Sequence, residues 1–167
     1  MIDSVLDTLQ GDALLNLILA GGIYRTQEIS RQTTPDAFDG NRELLPCALL
    51  KQESRTPWGP YDKSARLYFQ VFIYNQRMSD QIDYAVERIY KLLHRQKILP
   101  TRGGNWEVIH ANDLLDMEDP ALGVAMAVSR YVATNLRPET ETAVFDPVEW
   151  DWDQGNERNT QALEMEF

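Results

Sequence analysis

Ala65-Arg66-Leu67-Tyr68-Phe69-Gln70-Val71-Phe72-Ile73-Tyr74-Asn75 is the stretch that decides the fold. Leu67, Phe69, Val71 and Ile73 alternate with Arg66, Tyr68, Gln70, Phe72 and Tyr74. Successive side chains of a strand point to opposite faces, so this period of two predicts a strand over residues 65–75. Large side chains stand on both faces, which predicts cover on two sides, by a core on one and by a helix or a neighbouring subunit on the other.

Downstream, Ile82, Ala85, Val86, Ile89, Leu92 and Leu93 recur at helical spacing and form one apolar stripe behind a cap at Ser79 or Asp80. Glu87 and Lys91 stand four residues apart in the favourable order. Pro100 and Gly103-Gly104 close the helix section. Two more strands are predicted, Asn105–Ala111 with Trp106, Val108 and His110 on one face, and Gly123–Asn135 with Val124, Met126 and Val128 opposite Ala125, Ala127 and Tyr131. The polar, acidic run from Asn112 to Pro120 reads as their connection.

Upstream, Ile2, Val5, Leu6 and Leu9 predict a short helix capped by Asp3 or Ser4. Asp12 caps a second piece through Leu14, Leu15, Leu17, Ile18 and Leu19, which Gly21-Gly22 ends. Ile23 to Ile29 reads as extended, residues 30–43 as a loop, and Pro46 to Ser54 as a strand entered through proline. Between that strand and the next, Arg55 to Ser64 forms a loop that is long beside the roughly two to five residues usual in hairpins.

Runs of strands with segregated helices define an α+β class: an antiparallel or mixed sheet with two main helices packed on one face. The chain has 167 residues and 43% hydrophobic content, enough for one domain with a sizeable core. Its net charge of −10 is unevenly spread. Residues 1–137 hold 17 acidic and 15 basic groups, whereas residues 138–167 hold nine acidic groups and only Arg158. The expected organisation is a near-neutral domain over 1–137 and an acidic, aromatic-containing arm over 138–167. Acidity of this kind argues against capture of nucleic acid or anionic lipid, both of which need a basic face. One cysteine cannot form an internal disulfide, the N-terminus is acidic where a targeting peptide is basic, and no apolar run approaches the ~20 residues that span a bilayer. A soluble, intracellularly made protein without a membrane partner is expected.

Catalytic signatures are sparse. His94 and His110 have no acidic partner at a spacing that places one beside them, and there is no nucleophile elbow, phosphate loop, dinucleotide fingerprint or zinc-protease motif. Cys47 reads as a small buried hydrophobe. Asp113, Asp116, Glu118 and Asp119 offer four carboxylates, but their spacing departs from a calcium-binding EF-hand loop and lacks its central glycine, so solvated caps and turns are the favoured reading. No cofactor, metal or catalytic residue is assigned, and the chain is not expected to be an enzyme; a small metal-dependent enzyme or regulator using those carboxylates is the competing class.

Two features suit protein contacts instead. The first is the Pro57-Trp58-Gly59-Pro60-Tyr61 tip, flanked by Arg55, Lys63 and Arg66, since Trp, Tyr and Arg are the enriched anchors of interfaces. Trp58 either projects for a partner or folds back on its own sheet. The second is the arm, in which Phe145, Val148, Trp150 and Trp152 interleave with Asp146, Glu149, Asp151 and Asp153 before an end at Leu163, Met165 and Phe167. Aromatics among acids let an arm stay soluble alone and dock in a groove. The alternative is an arm packed on its own domain.

The run Leu9-Gln10-Gly11-Asp12-Ala13-Leu14 into Gly21-Gly22-Ile23-Tyr24, the Leu45-Pro46-Cys47-Ala48 and Tyr68-Phe69-Gln70-Val71 strands and the amphipathic Ile82 to Leu93 helix together resemble the tail terminator, or tail-completion, proteins of tailed bacteriophages. The resemblance spans residues 2–137 and leaves the acidic arm unexplained. It implies a non-enzymatic virion protein of the tail or neck. Such a protein is assembled in the host cytoplasm as a homo-oligomeric, hexameric ring that caps the tail tube protein, stops its polymerisation and joins a head-side connector or neck protein. Genomic DNA would pass through such a ring without specific binding. A head-closure or connector adaptor is the nearer rival reading.

Overall fold

The structure is a computed structural model describing residues 1–59, 64–77, 80–99 and 104–135. Its elements run α1 (Ile2–Gln10), α2 (Ala13–Ile18), β1 (Ile23–Tyr24), β2 (Cys47–Pro57), β3 (Ala65–Asn75), α3 (Asp80–Leu93), β4 (Lys97–Ile98), β5 (Trp106–Asp119) and β6 (Val124–Asn135). Among the described residues the strands form one sheet in the order β1-β2-β3-β6-β5-β4. β1 runs parallel to β2 and every other neighbour is antiparallel, so the class is α+β with a mixed sheet.

β3 lies inside the sheet because both of its faces have something to bury. Leu67, Phe69, Val71 and Ile73 enter the larger core with Val5 and Leu9 of α1 and Ile82, Ala85, Ile89 and Leu93 of α3. Fully burying each of the aliphatic side chains on that stripe is worth about 1.5–3 kcal/mol at most. On the opposite face Tyr74 joins Cys47, Leu49, Met126 and Val128 in a second, smaller core. Ile29, Ala37 and Leu44, from the segment between β1 and β2, close that core. The second cover is thus a loop, and it reaches only one end of the face; Arg66, Tyr68 and Gln70 at the other end are half-buried.

Local chemistry sets the boundaries. Asp12 caps α2, its Oδ1 accepting from Leu15 N–H at 2.7 Å. Gly22 holds φ +91°, which costs a residue without a side chain nothing, and a Cβ on Gly21 would fall 2.9 Å from that of Leu45. Glu87 and Lys91 pair at 2.6 Å on the outer face of α3, and its buried residues are four of the predicted stripe.

Four expectations are corrected. Asp3 and Ser4 do not cap α1; they lie inside it, Met1 occupies the cap position, and Asp3 pairs with Arg25. The extended segment from Ile23 shrinks to two residues, because only Ile23 and Tyr24 find partners, Ala48 and Leu49. Arg55, Thr56 and Pro57 are strand, paired with Leu67, Arg66 and Ala65, so the hairpin connection is shorter than ten residues. The acidic run after Asn112 is also strand, with Asp113 opposite Ser129 and Asp119 opposite Val124. Bulges between His110 and Asn112 and between Leu114 and Met117 break its alternation, and backbone bonds to β6 hold it where its side chains bury little. Ser79, Pro100, Gly103 and the 138–167 arm lie outside the described residues.

Candidate assembly surface

The free end of the β2–β3 hairpin carries most of the basic side chains of that half of the sheet. Arg66 lies with its guanidinium carbon 3.2 Å from the centre of the Trp58 ring, and its Nη1 donates to Tyr68 Oη at 3.4 Å. Arg55 reaches across the sheet to lie 5.9 Å from the Trp106 ring of β5, and Lys51 sits 5.4 Å from that of Phe72. Each cation faces the electron-rich side of a ring, an attraction that fixes long side chains without neutralising them. Trp58 itself stays 38% exposed. The two readings of Trp58 therefore combine: one face is engaged by its own domain's Arg66, and more than a third of its surface remains for solvent or a partner. Of the candidate contact residues, the structure brings Trp58 and Arg66 together and sets Arg55 on a different ring. Tyr61, Lys63, Phe145, Trp150, Trp152 and Phe167 lie outside the described residues.

A second surface escaped the sequence reading. Leu14 is 53% exposed, Leu17 79% and Tyr84 59%, lining a shallow groove between α2 and α3 beside Arg88 and Lys91. Its signal was present: α2 is apolar almost all round, and six residues cannot bury every side of a helix against one core.

The histidines also differ from expectation. His110 Nε2 lies 2.9 Å from Asp113 Oδ1, and His94 Nδ1 accepts from the His110 backbone N–H at 3.1 Å. Tyr90 stacks on His94 with centroids 4.6 Å apart, and Tyr131 meets the edge of His110 at 5.3 Å. Three residues apart in a regular strand, His110 and Asp113 would point to opposite faces; the bulge between His110 and Asn112 returns them to the same one. Ser129 and Tyr131 beside them are fully buried and cut off from solvent, burial driving the Tyr131 phenol to a higher pKa, so the cluster ties the end of α3 to β5 and β6. Among the described residues, no three His, Cys, Asp or Glu side chains converge in a way that could hold a metal ion. Asp119, one of the four carboxylates, caps the β5–β6 turn through the N–H groups of Ala121 and Leu122. Burial pushes the Cys47 thiol up to about 12, which suits a packing role.

No family model matches this chain, and no curated protein matches it. Solved structures do share its fold. A chain from the virion of a native gene transfer agent particle superposes with a TM-score of 0.57 at 11% identity, covering 80% of this chain and 92% of that one. At that identity the likeness is one of architecture: a small α+β domain with a mixed sheet and helices on one face.

Proposed function

We propose that this chain is a structural virion protein of the tail-terminator type, forming a ring that caps a tail tube, stops its growth and presents the surface that joins the head side. The observation that carries this reading is the likeness in fold to a virion chain over nearly all of that chain's length. The order of sequence patterns over residues 2–137 supports it independently, and so does a surface whose interface-type residues sit on a hairpin end and an apolar groove. In this reading the 1–137 domain is the ring-forming body, the Trp58 hairpin meets the tube or an adjoining ring, and the acidic 138–167 arm clasps a neighbouring subunit or a neck protein. The near-neutral body, −2 over residues 1–137, lets DNA pass without being held.

Negative-stain imaging of the purified full chain, alone and mixed with tail tubes, tests the proposal. Closed rings that sit on tube ends and halt their elongation are expected. Tubes that elongate unchanged, with no density added at their ends, would sink it.

A further inference from the structure

The two outer edges of the sheet are each capped over only part of their length, at opposite ends. On one edge, β1 pairs with Ala48 and Leu49, and the outer edge of β2 from Leu50 to Pro57 has no strand partner among the described residues. On the other, β4 pairs with Trp106 and Glu107, Val108 bonds to Arg95 and Gln96, and the His110 N–H goes to His94. Beyond His110 the outer edge of β5, residues 111–119, is likewise without a strand partner among the described residues. Open edges present rows of backbone donors and acceptors and template pairing with another chain.

Resting on the ring reading above, we infer that copies of this chain join head to tail by pairing the open edge of β2 on one copy with the open edge of β5 on the next. The strand senses permit it. β2, β3, β6 and β5 alternate in direction, so β5 runs opposite to β2, and a copy related by rotation about a ring axis brings its β5 antiparallel to its neighbour's β2. The open lengths match, at eight and nine residues. Their stagger is also what an inclined sheet needs. Followed across the paired strands, the middle of residues 50–57 lies about five residues, or roughly 16 Å, from the middle of 111–119, and four strands span about 19 Å. Strands inclined by roughly 40° bring the two stretches level, and closed barrels incline theirs by about 35–45°.

Side chains select the partner. The open β2 edge carries Lys51 and Arg55, the latter over the Trp106 ring, against one carboxylate, Glu53, which accepts from Gln70 of its own sheet at 2.9 Å. The exposed carboxylates Asp116 and Glu118, by contrast, flank the β5 edge, where Leu115 adds an apolar side chain 48% exposed. Opposite charge favours β2 against β5 over either edge against itself, which makes the contact heterologous, as ring closure requires. Each edge also carries a bulge, between Gln52 and Ser54 and between Leu114 and Met117, which keeps a generic flat strand from lying along it.

Two charge-reversed full-length chains test the inference, one with Lys51→Glu and Arg55→Glu, the other with Asp116→Lys and Glu118→Lys. Each alone is expected to weaken self-association by about tenfold or more in sedimentation, because like charges then face each other at every junction. Mixed in equal amounts they should associate again, alternating around the ring, a recovery open only to folded chains. Hydrogen exchange gives a second readout: Ala48 N–H points outward to Gly22, so those of Leu50 and Gln52 face the same open side and should become protected in the oligomer. Wild-type rings that persist in both variants, or an oligomer whose Leu50 and Gln52 amides stay unprotected, would overturn the edge pairing and leave the ring reading standing. Wild-type filaments that never close or cap tubes, abolished by either variant and restored by the mixture, would uphold the pairing and overturn the ring. A wild-type chain that stays monomeric even with tubes present overturns both.

Discussion

Arg88 on α3 holds both carboxylate oxygens of Asp12, the residue that caps α2: its Nε donates to Oδ1 at 3.0 Å and its Nη2 to Oδ2 at 2.6 Å. One side chain thus terminates a short helix and anchors it to a long one seventy-six residues away in sequence. The bidentate geometry is what a planar guanidinium offers a carboxylate, and Asp12 is largely shielded at 13% exposure.

Replacing Asp12 by Ala removes the cap and the pair together. The expected loss is about 1–3 kcal/mol of stability at pH 7, read from urea unfolding midpoints. The hydrogen bonds from Arg88 hold the Asp12 carboxyl below its ordinary value of 3.8. Its contribution is therefore complete above that value and drains away as the pH falls below about 4. The gap between wild type and Asp12→Ala should narrow at pH 3; an equal gap at both pH values would speak against the ion pair.

Cys47 gives a prediction of the opposite sign. Its thiol is buried and pushed up to about 12, so it should not react with a thiol reagent at pH 8 in the native protein and should react fully in denaturant. Above the ordinary thiol value of 9.0 the folded state keeps a proton that the unfolded state releases, so stability should decline as the pH rises from about 9 towards 12.

Trp58→Ala separates folding from assembly. The ring is partly exposed and its partner Arg66 can turn to water, so the stability cost should stay near or below about 1 kcal/mol. Joining of tails to heads should fall by about tenfold or more if Trp58 is a buried anchor in the assembled neck. Joining at the wild-type level would remove the hairpin from the contact.

Deleting residues 139–167 removes nine acidic groups and Arg158, so the net charge goes from −10 to −2, and, in the clasp reading, it removes the link to a neighbouring subunit or neck protein. The urea midpoint of the body should be unchanged while ring formation or virion assembly is lost. If both survive the deletion, the arm has another purpose.

What was legible in the sequence follows a physical line. β3 and the α3 stripe could be read because each buries one face against the helix-side core, and burial is what writes periodicity into a sequence. The last three residues of β2, Arg55 to Pro57, and nearly all of β5 beyond His110 were read as loop because their side chains bury little. There the chain is strand by virtue of backbone bonds to β3 and β6, which leave no mark on residue choice. The same cause hid the His110–Asp113 contact, since a spacing of three gives a shared face only after a bulge whose position no residue announces. The exposed groove at Leu14, Leu17 and Tyr84 was missed for the converse reason: apolar residues were assumed to point inward.

The placing of β6 beside β3 has a kinetic consequence. Their paired residues, from Ala65 with Asn135 to Asn75 with Ala125, are fifty to seventy positions apart, so the centre of the sheet forms only by closing long loops. Contact order of this kind puts folding on a millisecond-to-second scale, slower than a helical bundle of similar length. During synthesis β3, with Phe69, Phe72 and Ile73 on its two faces, must wait for the last described strand to leave the ribosome before it is covered. The window between translation of the two strands is where this chain is most exposed to aggregation, and where a chaperone would have most to protect.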